Sequence, residues 1–262
     1  MYVKANAGAL DAIHEERTRR IAERLELEPP EAGPSFDCPY LAGRKARYVS
    51  LLARAPQPGI YHSLMDLNFR RTGPFFYRTA CDGCSECSML RVRVTEFRPS
   101  RSQARAWSRN RGVSVEVGPP SPTEEKHALY ERYLETRHDG RMASSWEEMA
   151  GLYESPIETI EVVYRVAGRL VGVGLADAEP AALSAVYFYF DPLEARRSLG
   201  VFNILWLIEE CRRTRRPYLY LGYFVRDSPK MSYKSAYRPS EVLLRKGFVP
   251  FGRHCEPASR RT

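Results

Sequence analysis

The chain contains no apolar run near the roughly 20 residues that a membrane-spanning helix needs, although 44% of its 262 residues are hydrophobic. Its first stretch, MYVKANAGALDAIHEERTRR, lacks the apolar centre and small-residue cleavage site of a secretory signal. A cytoplasmic protein with no membrane partner is the expectation. Ser–His–Asp nucleophile machinery, a nucleophile elbow and a Gly-rich P-loop are also missing, which removes the common hydrolase and nucleotide-triphosphate signatures. No internal repeat or low-complexity tract appears, so solenoids and disordered arrays are excluded. Acidic residues are the scarcer charge: 32 Asp and Glu stand against 40 Lys and Arg, a formal +8. The excess is mostly arginine, whose planar fork suits phosphate and carboxylate, so nucleic acid and acidic peptides are both candidate partners. Arginine-rich composition without function would give the same total, and position has to decide.

At this length one or two domains with sizeable cores are expected. Residues 1–34 are polar, end in ELEPPEAGP, and read as an extension carrying one weakly amphipathic helix between Ala9 and Leu27. Residues 35–118 read as a Cys- and Arg-rich N-terminal domain of short strands, with LRVRVTEF alternating as a strand does. Pro and Gly crowd EVGPPSP, which marks a linker. In residues 119–262, Ser121 with Glu124 and Ser145 with Glu148 signal two helix starts. TIEVVYRV, RLVGVGLAD and LSAVYFYF follow as antiparallel strands, with Val186, Phe188 and Phe190 expected on one face and Tyr187 and Tyr189 on the other. VFNILWLIEECRRTRR is apolar almost all round and must be buried against a sheet. PYLYLGY gives a fourth strand. The fold class is α+β, and the order of elements is that of a GNAT-like acyltransferase domain with a mainly antiparallel sheet flanked by helices.

Five strings, CPYLAGRKARY, YHSLMDLNFRRTGPFFYRTAC, RPSRSQARAWSRN, YFYFDPLEARRSLGVFNILW and PYLYLGYFVRDSPKMSYKSAYRPSEVL, occur in this order over residues 35–250. Together they resemble the bacterial aspartate/glutamate leucyltransferases, relatives of the arginyl-tRNA–protein transferases. The resemblance implies transfer of leucine from leucyl-tRNA to the N-terminal amine of proteins beginning with Asp or Glu, marking them for degradation. Arginyl transfer to the same acceptors is the neighbouring alternative, since no residue here specifies the donor. A coenzyme-A-dependent acetyltransferase would explain the C-terminal half alone. A non-catalytic RNA-binding module would explain the cysteines and charge alone.

Such an enzyme needs a carboxylate reader, a phosphate reader and a donor pocket. In NFRRTGPFFYR, Arg70 and Arg71 lie among aromatics with Tyr77 and Arg78 behind them, where a partly desolvated guanidinium grips a carboxylate bidentately; a structural pair to a buried acid is the plain alternative. Arg196, Arg197, Ser198 and Gly200 precede the buried helix, where free amides and the helix dipole favour the phosphate of the terminal adenosine, or form a basic cap. One glycine instead of the usual two argues against coenzyme A. Lys230, Tyr233 and Lys234, with Tyr237 and Arg238, interleave cations and rings as RNA-tracking segments do, or as a solvated edge does. Arg98 and Arg101, with Arg105 and Trp107, extend a transfer-RNA surface or form a solvated helix face. Asp191 is the candidate to orient or deprotonate the incoming ammonium, against simple Asp-Pro turn chemistry. Tyr187 and Tyr189, with Tyr223 as a further catalytic candidate, are read as lining the leucine pocket or as core.

CDGCSEC supplies Cys81, Cys84 and Cys87, and Cys38 lies upstream. Four thiols at this spacing suit structural zinc or an iron–sulfur cluster, or pack as reduced cysteines. The related eukaryotic transferases carry a C-x2-C and an adjacent pair, a pattern not matched here. The cluster is therefore read as a structural or redox-sensitive element, and the chemistry itself needs no cofactor. Cys211 in the buried helix and Cys255 in the tail are not expected as ligands.

Overall fold

The computed structural model describes residues 16, 19, 20, 23, 32–52, 56–137, 144–244 and 247–252. Most of the helix expected between Ala9 and Leu27, and Cys255, lie outside the described residues. The extension expected to end at residue 34 already touches the fold before that point, since Ala32 bridges Val49 and the Gly33 amide donates to the Tyr48 carbonyl.

A small N-terminal module comes first. β1 (Phe36–Asp37) pairs with β2 (Lys45–Ala46), and β3 (Tyr48–Leu52), β4 (Arg70–Thr72) and β5 (Phe75–Thr79) form a three-stranded antiparallel sheet in the order β3-β5-β4. The short helix α1 (Ile60–Met65) packs on it, burying Tyr61, Leu64 and Met65 beside Phe69 and Phe76.

The chain then builds one eight-stranded sheet from β6 (Ser88–Arg93), β7 (Val113–Gly118), β8 (Thr159–Val166), β9 (Arg169–Glu179), β10 (Ala182–Phe190), β11 (Tyr218–Phe224), β12 (Ser240–Leu244) and β13 (Gly247–Pro250), ordered β13-β12-β6-β11-β10-β9-β8-β7. The boundary expected at residue 118 therefore does not separate the two sheets. β6, from the segment assigned to the N-terminal domain, inserts between β11 and β12, and β7 forms the far edge. Neither position is readable locally, because each strand's partners lie far along the chain.

Helices α2 (Arg101–Arg109) and α5 (Leu199–Arg213) cover one face. α2 starts with a capping box from Ser100 and Gln103, two reciprocal bonds that satisfy orphan amides. α5 buries Phe202, Leu205, Ile208 and Cys211 against the sheet, as its all-round apolar character requires. Helices α3 (Glu124–Arg137) and α4 (Trp146–Tyr153) share the other face with the N-terminal module. α4 is capped by Ser145, as its start signal indicates. For α3 the hydroxyl that accepts a first-turn amide is Thr123, whereas the Ser121 carbonyl receives the Lys126 ammonium.

The strand expectations hold for β8 to β11, with one change. A register shift between Ala185 and Tyr187 places Val186 with Tyr187 and Tyr189 beside α3 and α4, while Phe188 and Phe190 stay on the α5 face. A bulge adds a residue and flips the alternation, which strict period-two reading cannot foresee.

All strand pairs in the large sheet are antiparallel except β10 with β11, which the crossover through α5 makes parallel. That parallel register runs only from Ala182 opposite Tyr218 to Ser184 opposite Tyr220. Beyond it each strand shifts register, β10 at Ala185/Tyr187 and β11 at Tyr220/Gly222, and the two part. The parting point lies under the N-terminal module, and the site is built there.

Candidate active site

β4 carries Arg70 to the seam between the module and the large sheet. Its guanidinium carbon lies 5.7 Å from the centroid of the Tyr223 ring, and Tyr77, Tyr40 and Tyr61 are the other rings in electrostatic range. Gly222 on β11 faces it. A Cβ there would stand 2.8 Å from Arg70 Nε and 2.9 Å from Cζ, and the residue's φ of +75° already suits glycine. The arginine thus rests on bare backbone. Among the described residues no ion pair includes it, and the ring face it meets is that of Tyr223.

The floor is braced from behind. Tyr223 is fully buried, and its hydroxyl donates to the Asn68 carbonyl at 2.9 Å, with the Tyr77 carbonyl at 3.4 Å. Burial above all holds its phenol well above the usual tyrosine range. Asn68 also ties β4 to β6, donating to the Cys87 carbonyl at 2.8 Å and accepting the Met89 amide at 2.9 Å. Lys234, in the 3-10 turn Ser232–Ala236, is 4% exposed and sends its ammonium nitrogen to within 2.5 Å of the Tyr223 carbonyl. Burial first, then the charge of Arg70, holds it well below the usual lysine range, with Cys87 acting in the opposite sense. Tyr233 beside it is half exposed and within reach of both Arg70 and Tyr133.

The structure separates the residues that the sequence grouped. Arg71, expected to grip the acceptor with Arg70, points the other way: its side chain is fully buried and holds Asp177 through Nε at 2.9 Å and Nη2 at 2.8 Å, with Nη1 on the Gly73 and Glu154 carbonyls. Thr159 completes Asp177 at 2.7 Å. This is a structural pair clamping the module to β9, and the wholly buried side chain is closed to a ligand. Asp191, the expected proton handler, is 2% exposed, accepts the Leu193 amide at 2.9 Å and pairs with Arg169. One oxygen is committed to the turn and the other to the Arg169 ion pair. Tyr189 is core, its hydroxyl 2.7 Å from that of Tyr153, whereas Tyr187 is only half buried against Tyr130. Tyr77 lines the recess, tilted against Tyr48 and edge-on to Tyr223, and Arg78 lies 5.5 Å over the Phe69 ring.

Of the residues expected on RNA, Lys234 and Tyr237 are buried, the latter stacked on Phe97. Arg98, Arg101, Arg196, Lys230, Tyr233 and Arg238 are exposed. Arg197 is half buried and pairs with Glu194 at 2.6 Å, while Ser198 enters α5 with φ of 57° and no side-chain cap, and Gly200 follows in its first turn. Arg109 donates to the Arg196 carbonyl and Asn110 to that of Arg197, so α2 and this loop form one basic surface.

Cys38, Cys81, Cys84 and Cys87 line one cavity under Tyr40 and Tyr48 as free thiols. Burial, and then Cys81, Cys38 and Cys84, push the Cys87 thiol up to about 12. Four thiols are the donor chemistry of a soft metal. Yet among the described residues no three His, Cys, Asp or Glu side chains are drawn into a geometry that would hold an ion. No step of the chemistry is routed through these cysteines. No helix among the described residues is long and apolar enough to cross a membrane.

Sequence reasoning missed Gly222, Asp177 and Asn68. Only Gly222 carried a local signal, a glycine interrupting the strand YLYLGYF.

The family description "Arginine-tRNA-protein transferase, N terminus" matches residues 36–105, and "Arginine-tRNA-protein transferase, C terminus" matches residues 125–244. The aspartate/glutamate leucyltransferase of Chromobacterium violaceum is 40% identical over 79% of this chain and 88% of its own. Those of Hahella chejuensis, 38% identical over 83% and 95%, and Alcanivorax borkumensis, 40% identical over 80% and 88%, are similarly close. These matches, with the mixed α+β fold, define the class: an enzyme that transfers aminoacyl groups from transfer RNA to protein. The chain belongs to the arginine-tRNA-protein transferase family.

Proposed function

We infer that this protein transfers leucine from leucyl-tRNA to the N-terminal α-amine of proteins that begin with Asp or Glu, generating an N-degron. The observation that carries this reading is Arg70: a buried-side cation without a carboxylate partner among the described residues, walled by tyrosines, set where β10 and β11 part. An acidic side chain entering that recess supplies the missing anion and meets a pre-shaped fork. The leucyltransferase relatives at about 40% identity favour leucine over arginine as donor.

The chemistry asks little of acid–base groups. The attacking amine has an ordinary pKa of about 7.7 to 8.0, so a useful fraction is neutral near pH 7 to 8. An aminoacyl ester is already activated. Amine attacks the ester carbonyl, the C–N bond forms, the C–O bond to ribose breaks and the ribose oxygen leaves with a proton; one further proton of the original ammonium goes to solvent. Holding the partners together supplies most of the acceleration, for which effective molarities of about 10⁵ M and above are available. The parted strands of a GNAT-like sheet provide backbone amides not engaged across the gap, suited to the developing oxyanion. No cofactor is needed. Tyr187 is assigned to the donor pocket, and Arg98, Arg101, Arg196, Ser198, Gly200, Lys230 and Tyr233 to the transfer RNA.

Mass spectrometry of peptides beginning with Asp, Glu, Ala or Lys, incubated with the protein and either leucyl-tRNA or arginyl-tRNA, tests donor and acceptor together. Leucine added only to the Asp and Glu peptides is the expected result. Arginine in its place moves the protein to the other branch, and no addition from either donor overturns the reading.

A further inference from the structure

We propose that Lys234 is the second cation of the acceptor recess, gripping with Arg70 the side-chain carboxylate of the substrate's first residue. The proposal rests on the function inferred above and adds a specificity-determining residue to it.

Lys234 comes from the 3-10 turn between β11 and β12 and reaches inward, where its ammonium nitrogen binds the Tyr223 carbonyl at 2.5 Å. Tyr223 follows Gly222, the residue on which the Arg70 guanidinium rests. Both cations therefore reach the same two residues of β11, Arg70 at Gly222 and the Tyr223 ring and Lys234 at the Tyr223 carbonyl. The groups acting on Lys234 are Arg70 from β4, the Tyr223 carbonyl from β11, the Cys87 thiol ahead of β6 and the Tyr233 ring 5.9 Å away, none of them a carboxylate. The ion pairs among the described residues include neither Arg70 nor Lys234, whereas Lys126 and Arg71, the comparably buried cations, each have their own acid, Glu161 and Asp177.

A buried ammonium and a half-buried guanidinium at the same two strand residues, with no acid paired to either, are costly in a resting protein. A carboxylate placed between them removes that cost, and the chemistry on hand fits one: Arg70 offers a planar fork, and Lys234, with one N–H on the Tyr223 carbonyl, keeps others to give. The same pair discriminates. An amide side chain of equal shape brings no charge and leaves the cations as they were, so Asp is separated from Asn by more than hydrogen bonding. A transfer-RNA phosphate is the rival anion, and the recess favours the carboxylate because Lys234 is 4% exposed and Arg70 lies among tyrosines, whereas the neighbouring cations Lys230 and Arg238 are exposed.

The test is steady-state kinetics of the full chain with leucyl-tRNA and matched peptides beginning with Asp, Glu or Asn. In Lys234→Met the KM for Asp and Glu peptides should rise about tenfold or more, the Asp-over-Asn ratio of kcat/KM should fall by a similar factor, and the KM for leucyl-tRNA should stay within about twofold. Lys234→Gln, which keeps a donor for the Tyr223 carbonyl without the charge, should behave alike, and decides the matter if the Met variant does not fold. An unchanged Asp-over-Asn ratio in a folded variant overturns the proposal, as does a rise confined to the KM for leucyl-tRNA, which assigns Lys234 to phosphate. Wild-type protein that transfers nothing overturns the inferred function itself, so the two failures are distinct.

Discussion

Arg70 and Arg71 are adjacent on β4, and adjacent strand residues point to opposite faces. One meets Gly222 and a set of tyrosines; the other is sealed onto Asp177. The difference was already in the string FRRTG, because a strand can aim only one of two consecutive arginines into a given recess. Which of them could not be read, since that depends on Asp177, more than a hundred residues away on β9. The two should therefore fail differently when changed. Arg71→Met leaves Asp177 buried and unpaired and should lower stability by about 3–5 kcal/mol in urea unfolding. Arg70→Gln should leave the unfolding midpoint nearly unchanged while reducing kcat/KM for Asp and Glu peptides about tenfold to a hundredfold. Equal destabilisation by both would return Arg70 to a structural role.

At the scale of elements, the strands and helices of the C-terminal half were legible because their periods are strong and their caps local: Ser145 caps α4, and β8 to β11 lie where alternation placed them. The N-terminal module was less legible. Its strands run two to five residues, too short for periodicity to declare. Helix α1 exists there through tertiary support. The Glu179 carboxylate on β9 accepts the Gly59 amide at 2.7 Å and the His62 amide at 3.2 Å, fastening the helix start to the large sheet. His62 sits on this helix with Tyr220 at 3.4 Å, Asp66 at 3.9 Å, Arg91 beyond, and the Tyr218 ring beside it. Burial above all lowers its pKa, with Asp66 opposing and Arg91 assisting. The native state thus prefers neutral His62, and the unfolded chain binds the proton more readily once pH falls below about 6.5. Stability should be fully present above that pH and decline on acidification through the interval down to the lowered native value. Urea midpoints measured from pH 7.5 to 5 should show the loss in the wild type, and His62→Gln should flatten the acid side of the curve. A variant whose curve parallels the wild type excludes His62 as the source.

For the molecule as a whole, the +8 charge matters by where it is left uncompensated. Arginines 71, 91, 165, 169, 197, 212 and 213 have acidic partners and add no net positive field. Arg101 and Arg105 stand exposed on α2, and Arg109 and Arg196 join α2 to the loop that opens α5. The acceptor recess lies with the module on the other face of the sheet. On the proposed assignments the α2 arginines meet the RNA body on the face away from Arg70, while Lys230 and Tyr233 meet the RNA near the recess, so the α2 contribution is separable from acceptor binding. Reversing Arg101 and Arg105 together to Glu should weaken leucyl-tRNA binding and reduce the slope of log K against log salt by about 2, one phosphate contact for each arginine. The KM for Asp-initiated peptide should stay unchanged, because neither residue approaches Arg70. Binding isotherms at several salt concentrations give the slope. An unaltered slope would mean that the transfer RNA lies elsewhere and that the exposed arginines of α2 are a solvated helix face.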